Sequence, residues 1–257
     1  MTLTIDLKWY SGSAIVSRMS EYLAIVDIFR ATSMIPTLLE RGAGRILPVA
    51  LVEEALQLKE RHPDYLLAGE DRGRMPQGFS FGNSPSTVYT SLPPGGLAGR
   101  TIVHRSSAGT QAISRAVKVK KEQNARYTIF TSSLLNAAAV GRRIAGLNGG
   151  RDERLTILCS GYLDKIYALE DEIGAGALIE GIVAAGSEVK LSEVASAAYL
   201  ACRGAGEEMA SMLRPTKSAV KIIEVGDEPD IEFCCRRNMF DIVPVVRDGA
   251  VVRDGQE

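Results

Sequence analysis

The stretch YLAIVDIFRATS, residues 22–33, indicates how this chain folds. Residues 22–29 form an apolar run rich in strand-forming side chains, which is typical of a buried strand. A helical pattern follows and ends at Arg41-Gly42, where glycine is a common helix C-cap. The stretch therefore predicts a strand, a short polar turn and a helix.

The same alternation recurs through the rest of the chain. Further strands are predicted at residues 45–49, 65–68, 101–105, 126–130, 155–159, 220–223 and 242–246. Helices are predicted at 51–61, 111–121, 134–145, 169–185 and over 190–212, whereas 69–99 is rich in proline and glycine and predicts a long functional loop. This alternation favours an α/β fold, a mostly parallel or mixed sheet flanked by helices in three αβα layers. The sequence leaves open whether there is a second, smaller α/β lobe.

Composition excludes several classes of protein. The 257 residues carry 30 Lys plus Arg against 31 Asp plus Glu, so the net charge is −1 and a general nucleic-acid binder is not expected. No apolar stretch approaches the roughly 20 residues of a membrane-spanning helix, and residues 1–10 lack a signal-peptide pattern. We therefore expect a cytoplasmic protein with no nucleic-acid or membrane partner.

The metal-binding side chains are few. The chain has two histidines and four cysteines, none of them in a CxxC motif, so neither a zinc site nor a thioredoxin-type site is indicated. The cysteines are expected to be buried and reduced. Any metal site would have to be rich in oxygen ligands.

Small polar residues follow several predicted strands, where helices begin. They are Thr32 and Ser33, then Ser106, Ser107, Gly109 and Thr110, then Ser132, Ser133 and Asn136, and finally Ser160. Each one is explained by helix N-capping alone. Their recurrence favours an anion site, most simply for phosphate, built from helix N-termini and hydroxyl groups. Arg30 or Arg105 would add charge pairing.

Acidic residues occupy similar positions. Asp27 lies in an apolar run and needs a partner, either Arg30 in an ion pair or a metal ion. Glu70 and Asp71 open the long loop, and Glu170 and Asp171 begin a helix, where the dipole alone favours acids. Such carboxylates suit Mg²⁺, which prefers hard oxygen ligands. The GxxxxGK[ST], GxGxxG and HExxH motifs are absent.

Together these segments resemble the 2-phosphosulfolactate phosphatase family. The motifs, in chain order, are VDIFRAT (26–32, family VDVLRAT), GEDRG (69–73), GFSFGNSP (78–85, family GFDLGNSP), NA (136–137), CSG (159–161), LED with GAGA (169–177) and N..DIVP….G (238–249). The matches run in order from about residue 22 to residue 251 and cover most of the chain. Residues 1–257 are therefore predicted to form one catalytic unit of this α/β type, with two closely packed lobes left open.

The resemblance implies a Mg²⁺-dependent phosphatase of coenzyme M biosynthesis that acts on a small anionic phosphomonoester, with a homodimer left open. It implies three catalytic residues, Asp27, Arg30 and Glu70, and four metal ligands, Asp27, Glu70, Glu170 and Asp171. It implies anion binding by Arg30, Asn83, Ser84, Gly109, Thr110 and Asn136, and the polar turns add Thr32, Ser106, Ser107 and Ser160 as substrate-binding candidates.

Two loops depart from the family pattern. RSSAGT (105–110) replaces a TTNGT-like turn, and Ser80 replaces the aspartate of GFDLGNSP. The alternative reading is therefore a family member that binds a small phosphate or sulfonate without hydrolysis. For the enzyme, either water or Asp27 is the nucleophile; we favour water, because Phe29 occupies the position of the second acid of a DxD design.

Overall fold

The computed structural model describes residues 2–10, 20–147, 152–206 and 208–255. Within these ranges one sheet holds ten strands: β1 Thr2–Trp9, β2 Tyr22–Val26, β3 Arg45–Val49, β4 Leu66–Gly69, β5 Thr101–Arg105, β6 Thr128–Ser132, β7 Glu153–Cys159, β8 Glu188–Leu191, β9 Pro244–Arg247 and β10 Ala250–Arg253. The helices are α1 Ala31–Glu40, α2 Val52–Arg61, α3 Pro85–Ser91, α4 Gly109–Glu122, α5 Ala137–Leu147, α6 Leu169–Ala184, α7 Glu193–Ala205, α8 Met209–Leu213, α9 Lys217–Glu224 and α10 Pro229–Cys234.

The sheet consists of two parallel parts joined by an antiparallel hairpin. Its strand order is β4-β5-β3-β10-β9-β6-β2-β7-β1-β8. Strands β4, β5 and β3 are parallel, as are β6, β2, β7, β1 and β8. The β9–β10 hairpin pairs with each part through one residue pair, Val251 with Ile46 and Val245 with Phe130. The predicted α/β class with a mixed sheet is confirmed.

Strand β2 explains why helices cover both faces. All five of its residues are buried. Tyr22, Ala24 and Val26 join a core shared with α5, α6 and α7, whereas Leu23 and Ile25 join a second core shared with α1 and α4. A parallel strand buried on both faces carries a continuous apolar run. The end of this strand therefore delivers Asp27 and its turn to an edge between two helical layers.

The predicted strand at 220–223 is wrong, because these residues lie in α9. Thr216 caps the helix by accepting a hydrogen bond from the Ala219 N–H group, and Ala219 and Ile222 are buried on one helical face. A short apolar run with β-branched residues fits a strand or a helix equally well when no periodicity decides between them.

The predicted helical region 190–212 is interrupted. Lys190 and Leu191 end β8, which adds to the sheet beside β1. Ser192 then caps α7 through the Ala195 N–H group. Strands β1 and β10 were not predicted, and the loop 69–99 contains α3, which Ser84 caps.

Two further expectations concern the cysteines and the membrane. Cys159, Cys202 and Cys234 are buried, Cys235 is partly buried, and all four are free thiols, as expected. Among the helices of the described ranges, none has the length and apolar character needed to cross a membrane.

Candidate active site

A cavity of about 350 Å³ lies beyond the carboxyl ends of β2, β4, β5 and β7. Helix α6 and helix α9 close its other sides. The residues that line it include Asp27, Phe29, Arg30, Glu70, Arg72, Gly73, Asn83, Ser106, Ser107, Ala108, Gly161, Tyr162, Leu163, Glu170, Asp171, Ser218, Lys221 and Ile222. The four acids predicted as metal ligands therefore lie around one cavity, although they come from distant parts of the chain.

Asp27 is buried between the N-termini of α1 and α4. The Ala31 N–H group donates to its Oδ1 at 3.2 Å, and the Gly109 N–H group also bonds to its carboxylate. The Thr32 hydroxyl accepts from the Asp27 N–H group and donates to the Asp27 carbonyl, both at 2.9 Å. Burial raises the pKa of Asp27 to about 7, against the opposing effect of the two N–H bonds. The helix N-termini that we expected to bind phosphate thus hold a carboxyl group of the protein.

Glu70 is held by the turn that departs from the family pattern. The Ser107 N–H group donates to Oε1 at 2.5 Å, and the Ser107 hydroxyl donates to Oε2 at 3.1 Å. The Gly73 N–H group bonds Oε2 at 2.5 Å. Arg105, which lies below this turn, donates to the Glu70 carbonyl and pairs with Asp71 at 2.9 Å. The RSSAGT turn therefore orients Glu70 rather than leaving its hydroxyls free for a ligand.

Asp171 joins the ends of two neighbouring strands. Its Oδ1 accepts from the Ile28 N–H group and its Oδ2 from the Gly161 N–H group, each at 2.8 Å. Burial raises the pKa of Asp171 well above its usual range, and the charges of Asp27 and Glu170 add to the effect. Both oxygens are thus fixed by backbone donors.

Glu170 has unused acceptor capacity. Its side chain is buried, and its Oε2 has no hydrogen-bond partner among the described residues. The hydroxyl groups of Ser218 and Thr216, at the start of α9, interact with the carboxyl group, while burial raises its pKa. A buried carboxylate oxygen without a partner is costly and requires an explanation.

Arg30 does not pair with Asp27. Its Nη1 instead forms ion pairs with Asp227 at 2.5 Å and Asp230 at 2.6 Å. Asp230 is fully buried and also accepts from Ser84 Oγ at 2.9 Å and from the N–H group of Ser86 at 2.9 Å. The alternative in which Arg30 is the structural partner of Asp27 is therefore wrong, because Arg30 pairs with Asp227, in the loop before α10, and with Asp230, in α10.

The sequence did not reveal Asp227 and Asp230 as site residues. They lie about 200 positions from Arg30, and acids near a helix start are ordinary. A signal was present in the composition of PDIEFC (229–234), where Asp230 stands beside residues that are buried. A buried acid requires a cationic or hydrogen-bonding partner, but the sequence alone does not say which one.

Several residues predicted to bind substrate support the site from behind its walls. These six do not line the cavity: Thr32, Ser84, Gly109, Thr110, Asn136 and Ser160. Asn136 accepts from the Ser133 N–H group at 2.8 Å and donates to the Ile242 carbonyl at 3.1 Å. Thr110 accepts from the Ser106 N–H group at 2.6 Å and donates to the Val49 carbonyl at 3.0 Å.

Asn83, Ser106 and Ser107 do line the cavity. Asn83 is also fixed from behind, because its Oδ1 lies 2.9 Å from Nε2 of the buried His104. Burial lowers the pKa of His104 to about 3, so the ring is neutral at physiological pH. A neutral ring donates one N–H group to Asn83 and thereby orients the amide toward the cavity.

The donor set suits a hard divalent cation without forming a closed site. Within the described residues, no three His, Cys, Asp or Glu side chains stand close enough to form a ready-made metal cluster. Mg²⁺ needs only one or two carboxylates, because water and substrate oxygens complete its coordination. Glu170 and Asp27 both line the cavity, and Glu170 Oε2 has no hydrogen-bond partner among the described residues. The residues present therefore fit Mg²⁺.

The fold and the cavity define an α/β protein with a cluster of buried acids beyond the ends of parallel strands. The family model described as 2-phosphosulpholactate phosphatase matches residues 13–249, and the chain belongs to this family. Similar proteins named "probable 2-phosphosulfolactate phosphatase" occur in several bacteria.

The relatives align over nearly their full lengths. The protein from Symbiobacterium thermophilum is 32% identical, over 89% of this chain and 92% of its own length. The protein from Carboxydothermus hydrogenoformans is 31% identical, over 94% of this chain and 92% of its own length. The protein from Clostridium acetobutylicum is 30% identical, over 89% of this chain and 90% of its own length. These names favour a phosphatase over the alternative of a binding protein without hydrolysis.

Proposed function

We propose that this protein hydrolyses 2-phospho-3-sulfolactate, or a closely related phospho-hydroxyacid, to the hydroxyacid and inorganic phosphate, and that it requires Mg²⁺. The observation that carries the proposal is the buried Glu170, which lines a cavity with Asp27, Glu70 and Asp171 and whose Oε2 has no hydrogen-bond partner among the described residues. The names of the relatives supply the substrate class.

The four acids take different parts in this mechanism. Asp27 and Glu170 would hold Mg²⁺, which supplies charge neutralisation and polarisation of the phosphoryl group when bound. Asp171 and Glu70 have oxygens already fixed by backbone N–H groups. Their carboxylates also line the cavity, and their hydrogen bonds join the loops that follow β2 and β7 and those that follow β4 and β5. Such rigid placement is the main requirement of phosphoryl transfer.

Water is proposed as the nucleophile. Its oxygen forms a bond to phosphorus, the bond between phosphorus and the ester oxygen breaks, and the electron pair and a proton go to that ester oxygen. Asp27 is the rival nucleophile. Phe29, however, stands where a DxD phosphatase carries its second acid.

Arg30 is assigned to the phosphate oxygens. It lines the cavity, and both of its ion pairs use Nη1. The remaining N–H groups of the guanidinium are assigned to the phosphoryl oxygens, where charge develops in the transition state. The carboxylates of Asp227 and Asp230 fix the orientation of the arginine and offset its charge.

Phosphate release tests the proposal. The protein is assayed with 2-phospho-3-sulfolactate and a panel of small phosphomonoesters, with Mg²⁺ and with EDTA, beside Asp27→Asn and the exposed control Asp241→Asn. Turnover that requires Mg²⁺, is lost in Asp27→Asn and survives in Asp241→Asn is expected. Binding of 3-sulfolactate without turnover of any ester would favour the binding protein instead.

Three expectations stay predictions. They are the cytoplasmic location, the role in coenzyme M biosynthesis and the homodimer.

A further inference from the structure

Four acids and three cations line the cavity. Of the cations, Arg30 is already paired with two further carboxylates. The other two cations, Arg72 and Lys221, come from the loop after β4 and from α9. A substrate that carries a phosphate and a sulfonate cannot place the sulfonate against the acids without strong repulsion. The sulfonate therefore needs these two cations.

Helix α9 contributes three residues to the cavity wall. Ser218, Lys221 and Ile222 all line it, because positions three and four apart share a helix face. Ser218 interacts with Glu170. Lys221 follows about one helical turn later on the same face.

Lys221 and the loop of Arg72 are in contact. The aliphatic part of Lys221 packs on Gly73, where an added Cβ would lie 3.3 Å from Lys221 Cε. Asp71 and Arg74 exchange backbone hydrogen bonds at 2.8 and 3.1 Å, so Arg72 and Gly73 form the tip of a tight turn. The turn and the helix thus place the two cations on adjoining walls of the cavity.

The ammonium group of Lys221 is available to a ligand. Its ion pair is with Glu224 at 3.1 Å, and the two side chains are 36% and 58% exposed. An ion pair this exposed contributes little stability, so a bound anion readily replaces Glu224. Arg72 is exposed at the tip of its turn.

We propose that Lys221 and Arg72 form the subsite for the sulfonate end of the substrate and determine its specificity. The assignment rests on the proposed function. A sulfonate is ionised at every physiological pH, so fixed cations are the groups that recognise it. Neither residue contacts the reacting phosphorus, and their effect is expected in binding rather than in the chemical step.

The test compares Lys221→Met and Arg72→Met with matched controls. Lys217→Met lies on the same helix but outside the cavity lining, and Arg74→Met lies in the same turn but outside that lining. Kinetics are measured with 2-phospho-3-sulfolactate and with 2-phospholactate, which lacks the sulfonate. Binding of 3-sulfolactate to the full chain with Mg²⁺ is measured by calorimetry, and thermal unfolding verifies that each variant is folded.

The expected result is a KM for the sulfonated ester about tenfold higher in each subsite variant, as for loss of one charge-assisted contact. The value of kcat, the kinetics with 2-phospholactate and both controls stay within about twofold, and Lys221→Arg restores most of the affinity. Equal losses with both esters, or no loss with the sulfonated one, would overturn the subsite.

The two proposals fail in different ways. Wild-type turnover without preference for the sulfonated ester leaves the phosphatase intact and removes the subsite. Binding of 3-sulfolactate that depends on Lys221, without turnover of any ester, supports the subsite and removes the phosphatase.

Discussion

Replacing Gly109 by alanine tests whether the position of Asp27 matters for activity. A Cβ atom at Gly109 would lie 2.5 Å from Asp27 Oδ2 and 2.6 Å from the Cβ atom of Ala31, whereas ordinary contacts begin near 3.4 Å. The carboxylate must therefore move by about 0.9 Å. It cannot move freely, because Ala31 holds its other oxygen at the start of α1.

A displacement of this size has a large expected effect on catalysis. Misplacing a catalytic group by about 1 Å costs on the order of 100-fold in rate, so kcat/KM of Gly109→Ala is expected to fall by about 100-fold. Crowding of a packed site also lowers the free energy of unfolding by about 1–3 kcal/mol. The assay is steady-state phosphate release from 2-phospho-3-sulfolactate with Mg²⁺, alongside urea unfolding.

Gly204→Ala is the matched control. Gly204 lies in α7, and no heavy atom of the described residues stands within 4 Å of an added Cβ. Alanine there is expected to raise stability by up to about 1 kcal/mol through helix propensity and to leave kcat/KM unchanged. If Gly109→Ala is folded and retains the wild-type kcat/KM, the reasoning about Asp27 is refuted.

Two further predictions concern the groups behind the cavity. Asp230→Asn breaks the buried ion pair with Arg30 and is expected to lower the free energy of unfolding, measured in urea, by about 3 kcal/mol. The control Asp241→Asn changes a side chain that is 84% exposed and is expected to alter this free energy by less than about 0.5 kcal/mol. Equal effects of the two variants would contradict the structural role of the Asp230–Arg30 pair. Burial lowers the pKa of His104 from 6.5 to about 3, so the unfolded chain binds more protons between these values and stability falls as the pH decreases, by about 2 kcal/mol at pH 5. In His104→Gln, which keeps an N–H donor for Asn83, the same urea measurement is expected to show a flatter pH dependence, and an unchanged slope would show that another group titrates.

The sequence predicted the fold class because its central strands have one clear signal. Strand β2 is buried on both faces, and its apolar run needs no periodicity to be recognised. Strand β1 carried a signal of another kind, since buried Leu3, Ile5 and Leu7 alternate with partly exposed residues. This alternation with period two is typical of a strand with one face on the core, although the sequence prediction does not include β1.

The sequence predicted the acidic residues of the candidate site but not the hydrogen bonds that hold them. Asp27, Glu70, Glu170 and Asp171 stand at strand and helix ends, where topology brings side chains together. Each carboxylate is held by backbone N–H groups such as that of Gly161. Every residue except proline has such a group, so residue identity does not show which ones act as donors. Ion pairs between residues far apart in the chain are likewise not visible in the sequence.

The partners of Arg30 show the limit most clearly. Asp227 and Asp230 belong to a region far along the chain, whose helices were read in part as a strand. Only the packing of α9 and α10 against the β2–α1 turn brings them to the arginine. The wrong strand assignment covers Lys221, whereas Asp227 and Asp230 lie beyond it and pair with an arginine about 200 positions away.

The central claim is that hydrolysis requires Mg²⁺ and that Glu170 helps to hold it. The Mg²⁺ dependence of phosphate release in the wild type and in a Glu170 variant tests this claim most directly. Phosphate released from 2-phospho-3-sulfolactate is measured while Mg²⁺ is titrated into EDTA-treated wild-type protein and into Glu170→Gln. The wild type is expected to be inactive without Mg²⁺ and to saturate at low concentration, and Glu170→Gln to need at least tenfold more. Full activity in EDTA, or identical Mg²⁺ titrations for the two proteins, would contradict the account.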